Sequence, residues 1–294
     1  MPARAARLAL ALLAGAAAAS EAAFPYQPSA CPPQSDYAGR RRAVLGWARQ
    51  LLNGSLGTAG GSYGNRAFLR DTNTFIDVAL DYSDHRLARG ILVGLFSAQH
   101  SNGDVGTCCV PFGKDGKAQT QGLKPGAELK ADVTTDAESS LVSAIYKYVR
   151  HTGDASILDV RFASQLDPVR RPVRDRLRML LGYLGNSTGR FSQRHGLVWG
   201  SVCADWGDVS VLGLFAPAGH TTYIEPQSPI AINPYANAMY IIAMQNFAEL
   251  LQPTAPAEAG VWRARAANTS KNAMRFLWME DKQKFRPHLY DIGP

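Results

Sequence analysis

The chain has 294 residues, of which 46% are hydrophobic and 19% charged. That balance provides a sizeable core and excludes a disordered or fibrous protein. Its net charge of +7 gathers in Arg40, Arg41 and Arg42 and between Arg161 and Arg178. In the second stretch the arginines interleave with an apolar stripe and not with aromatics that could stack bases, so they describe the solvated face of a helix, and nucleic acid is excluded as a partner.

Residues 1–22 have the order of a secretory signal peptide: Arg4 and Arg7, an apolar run from Leu8 to Ala19, then small residues to Ala23. The run is shorter than the about 20 apolar residues a membrane span needs, and no later segment qualifies, so no membrane span is expected. Three N-x-[ST] sequons, at Asn53, Asn186 and Asn268, fit a secreted or secretory-pathway glycoprotein. Of the four cysteines, adjacent Cys108 and Cys109 are poorly placed to bridge each other; a bridge from Cys31 to one of them or to Cys203 is the alternative. No C-x2-C or paired-His spacing accompanies them, so neither a metal nor a cofactor is expected. Residues 23–38 read as an N-terminal extension and 39–294 as one helical domain.

Helical periods dominate from there on. Helices are predicted near 39–52, 72–80 and 84–98. The next opens at a capping box of Thr135 and Glu138, runs through Leu141, Ile145 and Tyr148, and stops near Gly153. From Val169 the positions Val173, Leu177, Leu180, Leu181 and Leu184 continue an amphipathic stripe, with Arg170, Arg171, Arg174 and Arg178 on the watered side. Asn233 as N-cap with Pro234 behind it starts a helix to Leu251 that is apolar on nearly every side and so predicted to be buried all round. A last helix spans about 256–278. Three long irregular stretches, Asn53 to Leu69, Ser101 to Val133 and Gly185 to Asn233, separate these helices, and loops of that length are usually functional. Partly exposed helices alternating with buried ones suit a two-layer toroid whose loops gather at one end.

Each long loop delivers polar residues just before a predicted inner helix: Arg70-Asp71-Thr72, Asp132 to Asp136, and Trp199-Gly200 with Asp205-Trp206-Gly207-Asp208. Helix capping alone accounts for Asp132 and Asp136, and a surface pair for Arg70 with Asp71. The third group asks for more. A Trp face stacks on the apolar face of a sugar ring, and carboxylates bind hydroxyls or protonate a glycosidic oxygen, so Trp199, Trp206, Asp205 and Asp208 are candidates for a carbohydrate site.

Three phrases, Thr152-Gly153-Asp154 followed by Ile157-Leu158, Tyr235 to Tyr240 running into Ala248-Glu249-Leu250, and Asp205-Trp206-x-Asp208, resemble the six-hairpin glycosidases over residues 40 to 290. That superfamily includes trehalases, processing α-glucosidases, debranching-type enzymes and α-rhamnosidases. The resemblance implies an all-α (α/α)6 toroid of helical hairpins. It also implies an inverting glycoside hydrolase acting on a terminal α-linked sugar of an oligosaccharide or polysaccharide. It makes Asp205 the general acid with Asp208 second, has Arg70 and Asp71 grip the terminal sugar, and turns Asn237 toward the same pocket. About seven helices stand where the family has twelve, so the toroid is expected to be incomplete in this chain, without the late barrel that carries the general base. A glycan-binding protein without catalysis is the alternative of another class. A sugar isomerase or a polysaccharide lyase on a related toroid is a third, with His195, His220, Tyr223 and Tyr235 as its candidates.

Overall fold

In a computed structural model the described residues are 39, 41, 42, 46, 66–81, 84–105, 108–111, 136–164, 166–186, 190–201 and 230–290. The chain divides into two compact units, Met1–Gln50 and Leu51–Pro294. In the first, Gly39, Arg41, Arg42 and Gly46 are helical, within the helix expected from residue 39.

The second unit is built from helices. Among its described residues these are α1 (Leu69–Leu80), α2 (His85–Leu95), α3 (Ala137–Thr152), α4 (Val173–Asn186), α5 (Pro234–Leu251) and α6 (Pro256–Leu277). Apart from these the described elements are short 3-10 turns and two-stranded antiparallel ribbons, so the described part of the unit is mostly helical, as an all-α fold requires. Among the described residues no helix is long and apolar enough to cross a membrane.

Local chemistry sets most of the ends. At α2 the Asp84 side chain accepts from the Arg86 N–H at 2.8 Å, and at α5 the Asn233 side chain accepts from the Ala236 N–H at 2.7 Å ahead of Pro234. α3 stops where Gly153 takes a left-handed φ of 73°. Asp154 then accepts from the Ser156 N–H, which starts the 3-10 turn Ala155–Asp159 and buries Ile157 and Leu158.

The helices form three successive hairpins. Their first members lie side by side, α1 on α3 and α3 on α5, while α2 and α4 also pack on α3 and α6 packs on α5. The core is continuous through Leu80, Leu92, Leu141, Ile145, Leu177 and Phe247, with the Trp262 ring edge-on to Phe247 at 5.5 Å.

Several expectations are corrected. α1 begins at Leu69, so Arg70 and Asp71 stand in its first turn and not in a loop before it. α4 begins at Val173; Val169 is 49% exposed, and Arg171–Pro172 pairs with Arg161–Phe162 as a ribbon. No residue from Val173 to Gly185 is fully exposed. Its arginines are paired instead, Arg174 with Asp159 and Arg178 with Asp175 and Glu258, and Arg176 is buried under Gln99 and the Phe162 ring. α5 is not buried all round, because Ile242, Gln245 and Glu249 form an exposed strip. The fully enclosed stretch is Asp136–Ile145 of α3, despite its polar residues.

Candidate functional site

Three helix starts meet through one carboxylate. The Arg70 guanidinium, at the amino end of α1, donates twice to Asp136, from Nε to Oδ2 at 2.5 Å and from Nη2 to Oδ1 at 3.0 Å. The Tyr235 hydroxyl, at the amino end of α5, donates to the same Oδ2 at 2.9 Å. Asp136 precedes α3 but its side chain makes no capping bond, so its 1% exposed carboxylate is committed to the two neighbouring helices. A cation at a helix amino end opposes the helix dipole, and the bidentate pair with Asp136 offsets that cost. Arg70, Asp71 and Tyr235 retain partial exposure around the buried Asp136.

Two strand pairings flank these helix starts. Strand β1 (Arg66–Phe68), which leads into α1, pairs with β2 (Cys108–Pro111), from which the chain proceeds to Asp136. Strand β3 (Gly200–Ser201) pairs with β4 (Ile230–Ala231), three residues ahead of α5. Asp205, Trp206 and Asp208 fall in sequence between these two strands and lie outside the described residues.

Trp199 is half-buried against the small cluster of Leu197, Ile232 and Leu277, and its backbone N–H donates to the Arg190 carbonyl at 3.0 Å. Asn237 is a correction. Instead of facing a pocket it is fully buried, with Oδ1 accepting from the Val198 N–H and Nδ2 donating to the Val198 and Asn233 carbonyls, each at 2.9 Å. It fixes the backbone next to Trp199. His195, a candidate for lyase chemistry, is buried with Nδ1 on the Ser192 hydroxyl and its ring edge-on to Phe276; His220 and Tyr223 lie outside the described residues.

Behind Asp136 sits a polar cluster that the sequence reading missed. Glu138, expected in a capping box with Thr135, is fully buried, and neither carboxyl oxygen has a hydrogen bond of ordinary geometry among the described residues. Burial pushes its pKa up to about 8, with Arg190 pulling it down and Asp104 pushing it further up. Burial also raises the Tyr183 phenol to about 12. For Arg190, burial works against the charge, but Glu138, Tyr183 and Asp104 around it leave the guanidinium raised overall. Gly103 brings Asp104 into place: its φ is 101°, and a Cβ there would stand 2.1 Å from the Met179 carbonyl oxygen. The available signal was Asp136-Ala137-Glu138-Ser139-Ser140, which puts polar groups on more faces of one turn than a cap requires.

Neither a scan against protein-family models nor a search of curated proteins returns a match for this chain.

Proposed function

We propose that this chain is a glycoside hydrolase on an (α/α)6-type helical toroid, with its substrate mouth where α1, α3 and α5 begin. The observation that carries the reading is the Arg70–Asp136–Tyr235 junction, which joins the partly exposed Arg70 and Tyr235 to a buried carboxylate where α1, α3 and α5 begin. Such a rim suits a ligand dense in hydroxyls, to which guanidinium donors and carboxylate acceptors bind with defined geometry. The three hairpins also support it, since their first helices adjoin one another as the inner layer of a toroid does.

In this reading Asp205 is the general acid, Asp208 orients hydroxyls or raises the pKa of its neighbour, and Trp199 and Trp206 stack on sugar rings. Arg70 and Asp71 hold the terminal sugar. The protein follows the secretory route, for which its first 22 residues and sequons are the support; Asn268 is exposed on α6.

The full chain, secreted from a eukaryotic host, is to be assayed on aryl α-glycosides and α-linked disaccharides. Hydrolysis is expected for at least one, with Asp205→Asn reducing turnover by about 100- to 10,000-fold because an amide cannot supply the proton. Binding of the substrate should persist in that variant, separating lost chemistry from lost affinity. Undiminished turnover in Asp205→Asn overturns the acid assignment. Saccharide binding with no hydrolysis of any panel member replaces the reading by a glycan-binding one.

A further inference from the structure

We infer that two copies of this chain pair about a two-fold axis parallel to the helices, the α1 face of each copy seated on the α5 and α6 face of the other. The inference rests on the toroid reading above, since each copy then supplies three hairpins to one ring. Within the second unit the helices follow one another in contact from α1 to α3, α5 and α6, so α1 and α6 stand at opposite ends of the series. The side of α1 turned to α3 is marked by Arg70, which reaches Asp136, and by the Asn73 carbonyl and Asp77, which receive Lys147. Phe75 and Val78 lie off that side, 43% and 49% exposed, on a strip that begins at Asp71. Positions 71, 75 and 78 are four and three apart, which lines them up along one helix face.

The far end of the series is the complement of this strip. On α6, Glu258 is bonded to Arg178 of α4 and Trp262 packs on Phe247, which fixes the side turned to the core. The strip of Arg263, Ala267, Lys271 and Met274 repeats at intervals of four, four and three and is exposed throughout. Met274 is 40% exposed, and on the neighbouring α5 Ile242 adds further apolar surface. The two ends differ in the sign of their charge. α1 holds Asp71 and Asp77 and is followed by Asp81, while its one cation, Arg70, is bonded to Asp136. α6 holds the exposed cations Arg263, Arg265, Lys271 and Arg275, and its one acid, Glu258, is paired with Arg178. An apolar strip edged by acids thus fits an apolar strip edged by bases, and like charge disfavours α1 on α1 or α6 on α6. About a two-fold both seams form at once and the assembly closes, where a single head-to-tail seam would leave one strip of each kind exposed. The amino ends of α1, α3 and α5 of both copies then lie at one end, and two Arg70–Asp136–Tyr235 junctions line the mouth.

Sedimentation velocity and light scattering on the full chain at micromolar concentration test the pairing. The wild type is expected at twice the mass of one chain. Phe75→Lys sets a cation against the basic strip, Met274→Glu sets an anion against the acidic one, and each is expected to halve the mass. Combined in one chain, Phe75→Lys and Met274→Glu should restore the dimer, because each seam then joins a lysine to a glutamate. Both positions are exposed, so far-UV circular dichroism should match the wild type in all three variants. A monomeric wild type, a dimer that survives either single change, or a double variant that stays monomeric overturns the proposal. A dimer that cleaves no saccharide supports the pairing and overturns the hydrolase reading alone, whereas a monomeric wild type that cleaves one overturns the pairing alone.

Discussion

Asp136 is the acceptor for two helices at once, and its replacement should register in stability even without any ligand. Asp136→Asn leaves the Arg70 guanidinium without its carboxylate in a mostly enclosed site, for which removal of one partner of a buried pair costs roughly 3 kcal/mol. Tyr235→Phe removes one hydrogen bond to a charged group and should cost about 1.5 kcal/mol. Urea unfolding at pH 7 measures both, and equal midpoints for wild type and Asp136→Asn would contradict the junction. Glu138 gives a second prediction at this scale. Its folded pKa lies above the ordinary value, so the folded chain keeps a proton that the unfolded chain loses. Its stabilising contribution is complete below about pH 4.5 and fades as pH rises toward 8, by several kcal/mol in all, since one pKa unit is about 1.4 kcal/mol. The unfolding free energy of Glu138→Gln should fall less over that interval than that of the wild type. Parallel pH dependence in the two proteins would mean that Glu138 is not a buried acid.

At the scale of elements, α5 and α6 show how burial divides a helix. Phe247 is fully buried against Trp262, whereas Ile242 is 36% exposed on the same helix. Phe247→Ala should therefore cost about 3–5 kcal/mol and Ile242→Ala under about 1 kcal/mol, as read from thermal or urea unfolding. Similar losses at the two positions would place the buried face of α5 elsewhere. Starts and stops written in local chemistry were legible in the sequence: Asn233-Pro234 opened α5 where expected, and Gly153 closed α3. The stripe from Val173 to Leu184 was legible for the same reason, as a period of side chains. What failed depended on neighbours distant in sequence. Composition made α5 the enclosed helix, but enclosure follows from position, and α3 is the helix surrounded by α1, α2, α4 and α5. Arg176 sits within an arginine-rich stretch that looked solvated, and Gln99, Asp167 and the Phe162 and Val169 carbonyls, brought from outside the helix, allow it to be buried.

For the molecule as a whole, the three hairpins bring the amino ends of their first helices to one place, and that convergence was legible as loops that each precede such a helix. The residue that joins those ends was not. Asp136 had the sequence of a helix cap, and nothing local distinguishes a carboxylate that binds its own helix from one that reaches Arg70, 66 positions away. Asn237 failed in the same way, because the helix phrase that made it a pocket residue does not record that Val198 occupies its amide. The measurement that tests the central claim most directly is the kcat/KM of Arg70→Met on whichever α-linked substrate the wild type hydrolyses, with folding confirmed by circular dichroism. Loss of a guanidinium that holds the terminal sugar should lower it by about 100-fold or more, with part of the loss in kcat. A folded Arg70→Met protein that turns over as the wild type does would contradict the placement of the substrate mouth at this junction.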